Sequence, residues 1–74
     1  MSDPIVYDRR VFAENLKRLL RENHEKQVDI ARLLGVSKAA VSAYCKGEQM
    51  PRMDKLESLA QHYGVPIAAL IVFL

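Results

Sequence analysis

The side chains best suited to nucleophilic or metal chemistry are few in this 74-residue chain: His24, His62, Cys45 and a handful of serines. The two histidines lie 38 residues apart, with no cysteine or carboxylate at ligand spacing, so no metal site is legible. Ser37 and Ser42 lack a histidine or acid partner at catalytic spacing. No acid/base pair or phosphate-cradling loop is present, and neither an enzyme nor a cofactor or small-molecule substrate is expected. Cys45, the single cysteine, rules out an internal disulfide and suits a reducing compartment. It falls on an inward helical position and reads as a small hydrophobe rather than a redox switch.

The chemistry that remains is that of fixed positive charge. The net charge is only +2, but it is unevenly placed. Arg9, Arg10, Lys17, Arg18 and Arg21 outweigh Glu14 and Glu22 to leave residues 9–22 at +3. Lys26, Arg32, Lys38 and Lys46 against Asp29 leave residues 26–46 at +3 as well. From Leu56 onward Glu57 is the only formal charge. A basic first part and an apolar end fit an anionic partner on one side and self-packing on the other.

These cations must be positioned by a scaffold, and the periodicity predicts an all-α one. Residues 1–7 read as a short arm without helical period. Asp8 can cap a first helix whose Phe12, Leu16, Leu19 and Leu20 share one face. A second helix is expected from Gln27, with Ile30, Ala31 and Leu34 inward and Gly35 at its end. Ser37 is placed to cap a third, from Lys38, whose Val41, Tyr44 and Cys45 point inward; Val36 and Val41 have the spacing of a hydrophobic staple. Gly47 closes that helix, and Pro51 disfavours helix at Met50. Leu56, Leu59, Ala60 and Tyr63 define a fourth helix stopped by Gly64, and Pro66 opens a fifth, "PIAALIVFL". The expectation is one domain over residues 1–74, a compact five-helix bundle. The ten-residue apolar stretch 65–74 is too short to span a membrane and no leader is evident, which points to the cytoplasm.

The second and third helices, joined at Gly35, have the layout of a helix-turn-helix, whose second helix enters the DNA major groove. Lys38, Ala39, Ser42, Ala43 and Lys46 are left on the outer side of the third helix. Short side chains allow close approach to base edges. Alanine can meet a thymine methyl, serine can donate or accept, and lysine can donate to guanine O6 and N7.

At this point the stretch "QVDIARLLGVSKAAVSAYCKGEQMPRMDKLESLAQHYGVPIAAL" resembles the lambda-repressor-like, Cro/repressor-type helix-turn-helix domain, with the likeness running over residues 12–70. Such domains are usually dimeric transcription regulators of phage or bacterial origin. The resemblance implies base contacts from Lys38, Ala39, Ser42 and Ala43. It implies phosphate contacts from Gln27, Ser37, Lys46, Gln49 and Arg52, with Arg52 near the minor groove. The family often carries a glutamate where this chain has Cys45, paired with an arginine of the first helix. Arg21 is the expected counterpart of that arginine, left without its partner. The turn "NHEK" lacks the family's usual glycine and apolar residue, and reads as one residue short. With two alanines at base positions direct readout should be thin, and specificity should lean on Lys38, Ser42 and DNA shape.

Arg9 and Arg10 read as solvated charges or as phosphate grips. His24 reads as a solvated turn residue and His62 as a surface residue at the favourable C-terminal end of its helix. Tyr44 and Tyr63 read as core rather than base-stacking platforms. The segment "AALIVFL" has more apolar residues than one short helix can turn inward, so Leu70, Ile71, Val72, Phe73 and Leu74 are expected to form a twofold dimer interface. Double-stranded DNA, bound at a pseudo-palindromic operator by a homodimeric repressor, is the partner these features select. The alternatives are a protein-interaction or antitoxin-like helix-turn-helix module, and the DNA-binding domain of a longer repressor.

Overall fold

Asp8 opens the first helix through its carboxylate, which accepts the Arg10 N–H at 2.9 Å. In the computed structural model, which describes residues 8–72, five helices follow in order: α1 (Arg9–Glu22), α2 (Gln27–Leu34), α3 (Lys38–Cys45), α4 (Met53–Tyr63) and α5 (Ala68–Ile71). There is no strand among the described residues. The apolar positions predicted on each helix converge on one core. Phe12, Leu16, Ile30, Val41, Leu59 and Leu70 have essentially no exposed surface. Each such side chain contributes about 1.5–3 kcal/mol relative to leaving it in water. Helix α1 packs against α3 and α5, α2 packs on α3 and α4, and α4 closes on α5.

Gly35 and Ser37 shape the α2–α3 turn, and Gly47 the turn after α3. Gly35 ends α2 at φ +67°, a left-handed conformation that costs a side-chain-bearing residue, and Val36 N–H then bonds back to Ala31 C=O at 3.0 Å. Ser37 caps α3 as predicted, its Oγ accepting the Ala40 N–H at 3.0 Å. Gly47 ends α3 at φ +74°, and a Cβ there would approach Arg10 Cγ to 3.3 Å, so the backbone of the α3–α4 loop lies directly on α1.

The α1–α2 turn departs from expectation. His24 takes φ +54°, the only non-glycine left-handed residue among those described, in the turn that lacks the family's usual glycine. Its N–H bonds to Arg21 C=O at 3.2 Å and that of Glu25 to Leu20 C=O at 2.9 Å, the paired bonds that close a helix on a left-handed residue.

The fifth helix is also shorter than predicted. It is a single turn of four residues, and Val72 is already extended at φ −124°, ψ 154°. Leu70 is fully buried in its own bundle, so it is unavailable to a partner subunit, contrary to its expected place in an interface. A lone turn hides only one apolar side, and here that side faces α1. Ile71 is half-buried against the core, Val72 is exposed, and Phe73 and Leu74 lie outside the described residues.

Candidate nucleic-acid interface

The third helix is held rigidly from behind. Val41 is completely buried, and the Tyr44 ring meets Phe12 of α1 edge-on with centroids 6.2 Å apart at 77°. The turn before α3 is braced by Lys55 of α4, whose Nζ donates to Leu34 C=O, the last carbonyl of α2, at 2.7 Å. That carbonyl has no partner within its own helix, and a cation at the negative end of the helix dipole is favourable there. The loop after α3 is tied to α1 by Arg9, whose Nη1 donates to Glu48 C=O at 3.0 Å. Neither Lys55 nor Arg9 in this role was legible in the sequence, since their acceptors are backbone atoms 21 and 39 residues away.

On the opposite side, residues 38, 42 and 46 and residues 39 and 43 follow one another at four-residue intervals and share a face. Lys38, Ala39 and Lys46 are exposed; Ser42 and Ala43 are half-buried between them. The ion pairs among the described residues are Arg10–Asp8, Lys17–Glu14, Arg18–Glu22, Arg52–Asp54 and His62–Glu25. None of them takes Lys38 or Lys46, so both ends of the α3 face keep their charge. The face is therefore positive at both ends, with only short alanine and serine side chains between the two lysines.

The flanking candidates are distributed around that face. Gln27 is the first residue of α2 and half-buried, at the positive end of that helix. Ser37 stands at the N-cap of α3, with its hydroxyl hydrogen still available for donation. Gln49 is exposed on the α3–α4 loop, and Arg52 is exposed at the N-cap of α4, its Nε 3.6 Å from the Asp54 carboxylate. The structure thus brings Ser37, Lys38, Ala39, Ser42, Ala43 and Lys46 onto one element, and sets Gln27, Gln49 and Arg52 on separate ones.

Cys45 is buried, and burial pushes its thiol pKa up, with Lys17 pulling the other way. Lys17 and Arg10 are the α1 cations on this side: they line a surface groove with Cys45 and Lys46. Arg21 is exposed and takes part in none of the ion pairs. The α1 residues that line the groove beside Cys45 are Arg10, Ala13, Glu14 and Lys17. Arg21, expected to face Cys45, is not among them.

His62 is more than a solvated surface residue. Its Nε2 lies 2.6 Å from one oxygen of Glu25, whose other oxygen accepts the Tyr63 O–H at 2.7 Å. Burial first, then the bond to the Glu25 carboxylate, pushes the Tyr63 hydroxyl pKa well above its ordinary value. Asn15 was missed altogether. It is the only buried polar residue among those described, and its carboxamide donates to the carbonyls of Leu70 and Val72. A polar residue between Phe12 and Leu16 on the inward face of α1 was the available signal.

A five-helix bundle with a sharp α2–α3 corner and a cationic, small-residue face on α3 defines the helix-turn-helix class of DNA-binding domain. The helix-turn-helix family matches residues 16–70, and the chain belongs to its lambda-repressor-like branch. It is 39% identical over 61 residues to the cryptic phage CTXphi transcriptional repressor RstR of Vibrio cholerae, covering 82% of this chain and 55% of that protein. It is 45% identical over 47 residues to the 26 kDa repressor protein of Escherichia phage HK022, covering 64% of this chain and 20% of that one. The crystal structure of a transcriptional regulator from Listeria innocua superposes with a TM-score of 0.81 at 40% identity, over 85% of this chain and 59% of that one. The chain therefore spans about half the length of the first of these relatives and a fifth of the second. No helix among the described residues is long and apolar enough to cross a membrane.

Proposed function

We propose that this chain is the sequence-specific DNA-binding unit of a transcriptional repressor, placing α3 in the major groove of a pseudo-palindromic operator as a dimer. The observation that carries this reading is the α3 face: short side chains between two lysines that no carboxylate among the described residues neutralises, on a helix anchored by Val41 and Tyr44. Lys38, Ala39, Ser42 and Ala43 meet base edges, and Gln27, Ser37, Lys46, Gln49 and Arg52 meet phosphates. Two copies present their α3 helices about 34 Å apart, one turn of DNA. The dimer contact uses Ile71 and Val72 with Phe73 and Leu74, Leu70 being withdrawn into the core.

The test separates base reading from charge. Lys38→Ala should weaken a selected operator more than random DNA, by about 1–3 kcal/mol of discrimination. Lys46→Ala should weaken both alike and lower the salt slope by about one. Equal losses on the two DNAs from Lys38→Ala would remove its base-reading role. The protein-interaction reading draws on Val28 and Leu33, exposed apolar residues of α2. A gel shift showing no binding to any DNA of a random pool would favour it.

A further inference from the structure

The end of the described chain is fastened in an unusual way. Helix α5 is one turn, too short to be stable by its own hydrogen bonds. Its last carbonyls have no helical partners, and the chain turns extended at Val72. Asn15 meets this need from α1. Its Nδ2 donates one hydrogen to Leu70 C=O and the other to Val72 C=O, both at 3.0 Å. A carboxamide nitrogen has two hydrogens, and both are used. Leu70, which carries the first of the two bonded carbonyls, is fully buried, and Asn15 itself is 2% exposed.

Asn15 sits where periodicity alone would allow a leucine, three residues after Phe12 and four before Leu19. An apolar residue there would bury as well, but it would leave the two carbonyls unpartnered and the segment free to swing. The same helix carries Phe12, whose ring supports Tyr44 of the recognition helix. One rigid path therefore runs from α3 through α1 to the carbonyl of Val72, whose side chain is 45% exposed.

From this geometry we infer that Asn15 is a positioning residue for assembly: by pinning the carbonyls of Leu70 and Val72, it fixes the direction in which the chain leaves the bundle relative to α3, and so sets the half-site spacing that a dimer reads. The inference rests on the dimeric operator reading proposed above. It assigns to a residue that touches neither DNA nor partner the control of a specificity that resides in distance.

The experiment measures binding of the wild-type chain and of Asn15→Leu to DNAs carrying one half-site, or two half-sites with spacers varied one base pair at a time. Wild type should favour its best spacing by about 10²-fold over spacings that forbid simultaneous engagement. Asn15→Leu should bind the single half-site as wild type does and compress the spacing preference below about 10-fold. A variant that loses affinity on all DNAs but keeps the wild-type spacing profile shows a merely structural role and overturns the proposal. A wild type with no spacing preference overturns the dimer reading, and this inference with it. Should Asn15→Leu not fold, the wild-type chain still decides: NMR couplings across hydrogen bonds must connect the Asn15 side-chain nitrogen to the carbonyl carbons of both Leu70 and Val72. Their absence in the folded protein overturns the latch.

Discussion

Two turns bracket α2, and both require a left-handed residue, yet they are built on different principles. The turn after α2 uses Gly35, at φ +67°, where an added Cβ would meet nothing within 4 Å. Its conformation is encoded locally, by the one residue type that adopts it freely. The turn before α2 uses His24 at φ +54°, an unfavourable choice, and is tied down from a distance. Glu25 in that turn grips His62 and Tyr63 at the end of α4, 37 and 38 residues along the chain. One turn holds its shape by residue choice, the other by tertiary anchoring, and α2 is presented to α3 between them.

The largest effect that separates the two principles should come from Glu25→Ala. It removes the carboxylate from both partners and leaves the half-buried Tyr63 hydroxyl without its acceptor, at a cost of about 2 kcal/mol in urea unfolding. Gly35→Ala should cost about 1–2 kcal/mol, all of it from backbone conformation, since the space for a methyl group is open. A much larger loss would mean that the Gly35 turn too depends on close packing. His24→Gly should have the opposite sign, stabilising by roughly 0.5–1 kcal/mol as left-handed strain is relieved against the greater unfolded-state entropy of glycine. A destabilising His24→Gly would show that the imidazole holds the turn through contacts of its own.

The same contrast explains what the sequence made legible. Gly35, Ser37, the α3 boundaries and the inward set Val41, Tyr44 and Cys45 all follow from spacing within about ten residues, where period and capping chemistry operate. The α3 face that defines the candidate site is legible for the same reason, since residues at four-residue intervals on one helix must share a side. The polar bonds of Asn15, Glu25, Lys55 and Arg9 span 21 to 57 residues and leave no local pattern. The missed elements are therefore the ones those bonds control: the left-handed His24, the single-turn α5 and the withdrawal of Leu70 from the surface. An apolar count over 68–74 predicted a face to cover. It had no means of showing that two backbone carbonyls in that segment needed a donor, and that α1 supplied it.

The smallest expected effect is a pH dependence confined to the anchored turn. Tyr63 has its hydroxyl pKa raised, first by burial and then by its bond to Glu25, with Cys45 adding to the negative side. A group whose pKa is higher when folded than when unfolded favours the folded state while it stays protonated. Its contribution is complete below the ordinary tyrosine value of 10.0 and falls away as pH rises above it. Unfolding free energy should therefore decline on the alkaline side, and Tyr63→Phe should flatten that decline while lowering stability at neutral pH through loss of the bond to Glu25. Gly35→Ala, which touches no titrating group, should shift the whole curve down without changing its alkaline slope. A Tyr63→Phe curve parallel to wild type above pH 10 would break the link between that hydroxyl and the turn, and with it the claim that the turn before α2 is held from α4.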